Sequence, residues 1–188
     1  MNVRPTPLEG VFVVEPPVFG DARGFFLESY NQKAFEAAVG RPIQFVQDNH
    51  SLSAKGVLRG LHYQLPHPQG KLVRVVRGDV YDVAVDLRRG SPTFGRWAAE
   101  VLSADNKRQL WIPEGFAHGF YVLSDAAEFL YKTTDYWHPE HERCIRWDDP
   151  DLAIAWPTSG AAPVVSGKDG AGKRLAEAVV FEPDCQPT

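Results

Sequence analysis

The chain has 188 residues, of which 44% are hydrophobic, 23% charged and 12% aromatic; this composition excludes a disordered chain and supplies one sizeable core. We therefore expect a single domain over 1–188. A net charge of -4 argues against nucleic acid or an anionic membrane as partner, since both need a basic face to displace counterions; any anion must sit in a local basic pocket.

In chain order, strand-like alternation appears first at residues 10–15 and 24–30. A helix over 32–39 follows, capped by Ser29 or Asn31 and stopped at Gly40. Further strands are expected at 43–49 and 57–64. Residues 71–76 and 81–87 read as a hairpin through Arg77-Gly78-Asp79, with Tyr81, Val83, Val85 and Leu87 on one face and Asp82, Ala84, Asp86 and Arg88 on the other. Strands at 96–102, 109–112, 118–123 and 128–134 complete the set, with one helical turn expected at 103–108. The small-residue run 157–172 reads as a long surface loop, and 171–178 as two helical turns. Nine or ten short strands, with 16 Gly and 15 Pro to turn them, imply an antiparallel sandwich or barrel. No signal-like apolar run opens the chain and no 18 uncharged apolar residues follow one another, so a soluble cytoplasmic protein is expected. Cys144 and Cys185 have no C-x-x-C spacing, which predicts neither a disulfide framework nor a thiolate zinc site.

Between residues 56 and 118 the spacing resembles the two motifs of the cupin superfamily, double-sheet antiparallel jelly rolls whose interior usually holds a metal. Gly56 is followed by five residues and His62-Tyr63-Gln64, so a glutamine stands at the second histidine position. Lys71, six residues before Gly78, stands at the carboxylate position. The second motif is Pro113-Glu114-Gly115-Phe116-Ala117-His118, with Val122 at the Asn position. An ammonium in place of a carboxylate works against a divalent cation, so the site is expected to be metal-free. A base-capable His62 beside a cation suits proton abstraction next to a carbonyl, with the cation stabilising the enolate oxygen. Taken singly, each of these residues has a plainer reading as a packed histidine or a solvated lysine.

Over nearly its whole length the chain resembles the nucleotide-sugar epimerase family typified by dTDP-4-dehydrorhamnose 3,5-epimerase. The resemblance is carried by Arg23-Gly24-Phe25-Phe26-Leu27-Glu28, Gln47-Asp48-Asn49-His50-Ser51, the stretch 56–64, Gly70-Lys71, Gly90-Ser91-Pro92-Thr93-Phe94-Gly95, the stretch 113–120, Tyr131, and 148–156 with Pro157. It implies a mainly β, cupin-type jelly roll with a few short helices, acting without cofactor or metal on a dTDP-4-keto-6-deoxy sugar. It implies His62 as base, Asp169 as the carboxylate that orients it, Tyr131 as the acid on the opposite face, and Lys71 with His118 at the C4 oxygen. It places Arg23, Phe26, Glu28, Gln47, Asn49, Arg59, Glu142 and Lys168 around the nucleotide, diphosphate or sugar. The base-stacking position falls to Trp137 or Tyr136. On spacing alone Asp169-Gly170 is a turn and Tyr131 a core or rim aromatic.

The resemblance also implies a homodimer that exchanges N-terminal strands, bringing Arg23, Phe26 and Glu28 to the partner's site, and a reaction that precedes a reductase in deoxysugar synthesis. A regular strand places Arg59 and His62 on opposite faces, so a bulge at Gly60, or the end of the strand, is expected if both line the pocket. Alternatives left open are an epimerase of C3 or C5 alone, a metal-dependent cupin oxygenase and a sugar-binding cupin.

Overall fold

The computed structural model describes residues 1–183; Cys185 lies outside them. In chain order the elements are β1 (Asn2–Pro5), β2 (Phe12–Glu15), β3 (Val18–Asp21), β4 (Gly24–Leu27), α1 (Gln32–Val39), β5 (Gln47–Ala54), β6 (Leu58–Gln64), β7 (Lys71–Arg77), β8 (Asp79–Asp86), β9 (Trp97–Ser103), β10 (Gln109–Ile112), β11 (Phe116–Val122), β12 (Ala126–Thr133), β13 (Glu142–Cys144) and the single turn α2 (Gly167–Gly170). Two antiparallel sheets face each other in a jelly roll. One runs β1-β2-β10-β7-β12-β5 and the other β13-β6-β11-β8-β9, while β3 and β4 form a separate two-stranded ribbon.

The core follows from the two-residue period of the strands. Val73, Val75, Leu110, Ile112 and Phe129 from the first sheet meet Val80, Ala84, Leu102, Phe116 and Phe120 from the second. The outer face of the second sheet is buried as well: Leu61, Tyr63, Val83 and Val85 pack under Ile145, Leu152, Val180 and Phe181 from the end of the chain. On the other side, α1 covers the first sheet, with Phe35 set edge-on to Trp111 at 5.3 Å. Asn31 caps α1 by accepting from the Ala34 N–H, and Gly40 ends it at φ 81.

Several expectations are corrected. β7 and β8 are not a hairpin: β7 pairs with β10 and β12, and β8 with β9 and β11. Only Gly78 separates them, and at φ 70 it turns the chain from one sheet into the other. The more apolar face of β8, carrying Val83 and Val85, packs under the last third of the chain, so Asp82 and Ala84 point between the sheets. The strand expected at 43–49 starts only at Gln47, because Ile43 and Phe45 pack against α1 and Trp111. Residues 103–108 form a turn, with Lys107 at φ 57 and Asn106 accepting from the Ser103 N–H. Of the helix expected at 171–178, only a 3-10 turn, Leu175–Glu177, forms, because Lys173 bonds in extended form to Cys144 and Arg146. Strands β1, β3 and β13 had no strong alternation to announce them.

A Cβ at residue 78 would meet the Ala126 carbonyl oxygen and Ser124 Oγ. Gly78→Ala should therefore lower unfolding stability by about 3 kcal/mol in urea titration, combining overpacking with backbone strain. A loss near zero would show that the corner is pliable.

Candidate active site

A cavity of about 360 Å³ opens between the two sheets, lined among others by Gln47, Asn49, Arg59, His62, Gln64, Lys71, His118, Phe129, Tyr131, Trp137, Glu142 and Lys168. Strand pairing explains the convergence. His118 of β11 lies directly opposite His62 of β6. Between Arg59 and His62 the strand advances three residues while β11 advances two, from Phe120 to His118. This is the bulge required for Arg59 and His62 to share the pocket. Gly60 (φ 122) and Gly119 meet at its centre, and a Cβ on Gly60 would lie 2.6 Å from the Gly119 Cα.

His62 Nε2 is 2.6 Å from Asp169 Oδ1, while Asp169 Oδ2 accepts from the Gly60 N–H at 3.3 Å. Asp169 sits in α2, whose Ser166 cap accepts from the Asp169 N–H. Burial pushes the Asp169 carboxyl up, but the His62 hydrogen bond and charge, with Gly60 and Lys168, hold it below its ordinary range. An ionised carboxylate facing Nε2 accepts a hydrogen bond from an N–H at that nitrogen, which leaves the lone pair of the neutral ring on Nδ1.

His118 Nε2 lies 3.0 Å from Asp82 Oδ2, and both side chains are buried. Burial lowers the His118 pKa; the charge and hydrogen bond of Asp82 oppose this, and Lys71 and His62 reinforce it. In its neutral form its one N–H is committed to Asp82, so Lys71 is left as the free donor of the pair. Lys71, at the start of β7, is 8% exposed, and its ammonium makes no hydrogen bond or ion pair with any described residue. Burial drives its pKa down to about 8, against the pull of Glu142 and Asp82.

Across the cavity, on the other sheet from His62, stands Tyr131 of β12. Burial pushes its phenol up, the nearby Glu142 adds to this and Arg59 opposes it. At the mouth, Lys168 Nζ pairs with Glu142 Oε1 at 2.7 Å, and the Trp137 indole N–H donates to Glu142 Oε2 at 3.2 Å. Arg59 Nε donates to Ser53 Oγ, and the Gln47 amide donates to Asn49 Oδ1. Asn49 Nδ2 is buried with no hydrogen-bond partner among the described residues, a donor left for a ligand.

A cupin metal does not fit this donor set. His62 and His118 are each held by a carboxylate, and the Gln64 amide oxygen accepts from the His138 N–H while its NH2 donates to the His67 and Tyr136 carbonyls. Lys71 adds a positive charge. Cys144 lies beside His62 and Asp169, but burial raises its thiol to about 12, which keeps it protonated.

Arg23, Phe26, Glu28 and Tyr136 do not line this cavity. Arg23, Phe26 and Glu28 are exposed on or beside the β3–β4 ribbon, where Arg23 pairs with Asp21 at 2.6 Å. Tyr136 is 59% exposed and does not line the cavity, whereas Trp137 does. Asp82 is a site residue that the sequence reading did not single out; its one signal was a carboxylate in a strand otherwise rich in Val and Ala. The segments at 90–95 and 148–156 prove structural. Ser91 and Thr93 donate to the buried Asp86, and Asp149 accepts from the Leu152 and Leu175 N–H groups.

A family model for dTDP-4-dehydrorhamnose 3,5-epimerase matches residues 5–177. A protein of that name from Pseudomonas aeruginosa is 67% identical over 96% of this chain and 99% of its own. A dTDP-4-dehydrorhamnose 3-epimerase from Streptomyces niveus is 42% identical over 95% and 86%. The crystal structure of a dTDP-6-deoxy-D-glucose-3,5-epimerase from Legionella pneumophila Philadelphia 1, in complex with dTDP-4-keto-L-rhamnose, superposes with a TM-score of 0.93 at 53% identity, covering 96% of this chain and 97% of that one.

The displacement of Lys71 from 10.5 to about 8 corresponds to about 3 kcal/mol between its protonation states. Below pH 8 the lysine is charged folded and unfolded, so folding bears the whole burial cost. Between 8 and 10.5 the folded state binds fewer protons, and stability rises with pH. Lys71→Met should therefore stabilise the ligand-free protein at pH 7 by up to about 3 kcal/mol in denaturant titration, with the gain fading as pH approaches 10.5. A destabilised variant would contradict an uncompensated charge.

Proposed function

The chain belongs to the dTDP-4-dehydrorhamnose 3,5-epimerase family, and from that premise we propose how its residues divide the work. The activity is an isomerase reaction of dTDP-L-rhamnose synthesis, in which dTDP-4-dehydro-6-deoxy-D-glucose is epimerised at C3 and C5 to dTDP-4-dehydro-L-rhamnose. The observation that carries the division of labour is that His62 and Tyr131 stand on facing sheets of one cavity, with Lys71 inside it.

The C4 ketone acidifies the protons on C3 and C5. His62 Nδ1 takes one of them, and the C–H electron pair moves into an enolate whose oxygen is stabilised by the Lys71 ammonium. Asp169 holds the imidazole in the required tautomer and stabilises the imidazolium. Tyr131 then gives its phenolic proton to the same carbon from the opposite face, which inverts it. Its raised pKa keeps it protonated beforehand. Solvent must remove the proton from His62 and restore that of Tyr131 before the second centre reacts, so each inversion leaves a solvent-derived hydrogen.

The cavity admits the sugar, and the nucleotide extends through the mouth, where Trp137 stacks on the base. Arg59 and Lys168 bind the diphosphate, and Gln47, Asn49 and Glu142 hold hydroxyl or phosphoryl groups. His118, oriented by Asp82, forms part of the sugar pocket. We further propose a cytoplasmic homodimer. Val18, Phe19, Phe25 and Phe26 are 45% to 70% exposed on the ribbon, an apolar patch that a second chain would cover while bringing Arg23, Phe26 and Glu28 to its site.

In deuterated water, NMR of the substrate should show deuterium entering at both C3 and C5. His62→Ala should slow exchange about a thousandfold while dTDP binding persists, and Tyr131→Phe should slow inversion more than proton removal. Equal loss of binding and exchange in His62→Ala would contradict the assignment of His62 as base. The S. niveus relative keeps a second reading in play, inversion at one centre only, and exchange confined to that centre would establish it. kcat/KM should fall as pH rises past about 8, where Lys71 loses its charge, and Lys71→Arg should move that limb to higher pH. An unmoved limb would assign it to another group.

A further inference from the structure

Outside the cavity, three imidazoles and two carboxylates gather where the loop after β6 meets the loop after β12. One ligand atom each from His67, Asp135 and His138 lies within 4.8 Å of the other two. The His67 and His138 rings are stacked with centroids 4.4 Å apart, and His141 lies 5.4 Å from His67. His67 Nδ1 is 3.4 Å from Asp135 Oδ2, and His138 Nε2 is 3.9 Å from Asp135 Oδ1. None of these imidazole nitrogens makes a hydrogen bond to a described residue, although they converge on one carboxylate.

Ligands about 2.0–2.1 Å from a tetrahedral zinc ion stand about 3.3 Å from one another; the His67–Asp135 separation of 3.4 Å matches this, and the His138–Asp135 separation of 3.9 Å would have to close slightly. The His67 and His138 rings, stacked at an interplanar angle of 23°, must turn for both lone pairs to meet one ion, and their partial exposure permits that. Two further features belong to a built site. The second nitrogen of His138, Nδ1, has Glu140 Oε1 3.8 Å away, beyond a hydrogen bond but near enough for that carboxylate to turn toward a metal-bound imidazole. The backbone beneath is held: Gln64 accepts from the His138 N–H and donates to the His67 carbonyl, and Asp135 Oδ1 accepts from the Tyr136 N–H at 2.7 Å. All three ligand side chains are between 31% and 48% exposed, which leaves room for water to complete the coordination.

We propose that His67, Asp135 and His138 bind one divalent transition-metal ion of the zinc class at the mouth of the cavity, pinning the loop that carries Trp137. The two loops are already joined through Gln64, Gln69, the Gly70–Thr134 pair and the Leu65 N–H to the His141 carbonyl, and the ion would add a side-chain tie beside Trp137 without touching the reacting sugar.

The test uses the full chain without an affinity tag, stripped of metal with a chelator and titrated with zinc chloride in a calorimeter, and with cobalt(II) in a spectrophotometer. One zinc per chain at micromolar free metal is expected, with the visible absorption of tetrahedral cobalt. His67→Ala and His138→Ala should each weaken zinc binding at least about tenfold, and Glu140→Gln by less. Cys144→Ala should leave it unchanged, because the other trio, His62, Cys144 and Asp169, is not the proposed site. No binding at micromolar zinc, parental affinity in both histidine variants, or a loss that follows Cys144→Ala would each overturn the proposal.

Discussion

Lys71 is a cation buried between two sheets with no carboxylate bonded to it, and the rest of the site is arranged around that fact. An ammonium out of water and without an ion-pair partner is destabilising, which is why such groups are rare and why their pKa falls. Glu142 and Asp82 lie near enough to temper the cost but not to cancel it, and each is bonded elsewhere, Glu142 to Lys168 and Asp82 to His118. The positive charge is thus kept available. In the proposed reaction an enolate oxygen forming beside it would supply the partner that the folded protein withholds, so stabilisation would appear as charge develops.

The jelly roll makes this arrangement possible because it presents two walls to one cavity. His62 and His118 project from neighbouring strands of one sheet, and Lys71 and Tyr131 come from the other. Inversion needs a base and an acid on opposite faces of one carbon, and under the proposed roles His62 and Tyr131 on the two facing sheets would supply them without any moving part. The bulge at Gly60 is the local departure from regularity that turns Arg59 to the same side as His62, and Gly119 opposite leaves the space for it.

How much of this was legible beforehand depended on how local each signal was. His62, Lys71 and His118 stand at motif spacings within strands, so their convergence followed once a double-sheet roll was expected. Asp169 meets His62 across 107 positions of sequence from a single helical turn, and only family resemblance pointed to it. Asp82 was hidden because alternation separates the two faces of β8 without saying which one looks into the inter-sheet core, and the more apolar one does not. That face packs instead under the end of the chain, which no period in β8 itself reveals. The hairpin expected through Gly78 failed for a related reason: alternation identifies two strands but not the sheet to which each belongs. Arg23, Phe26 and Glu28 lie outside the cavity of one chain, on or beside the β3–β4 ribbon.

The central claim is that Lys71 is a buried, uncompensated ammonium poised near neutrality, and its titration tests this most directly. With lysine labelled with carbon-13 at Cε, and the Lys71 resonance assigned by comparison with Lys71→Met, the NMR shift followed against pH should give a midpoint at about 8 in the free protein. A midpoint at the ordinary value of 10.5 would mean that the ammonium is solvated or paired, and the account of enolate stabilisation built on it would fail.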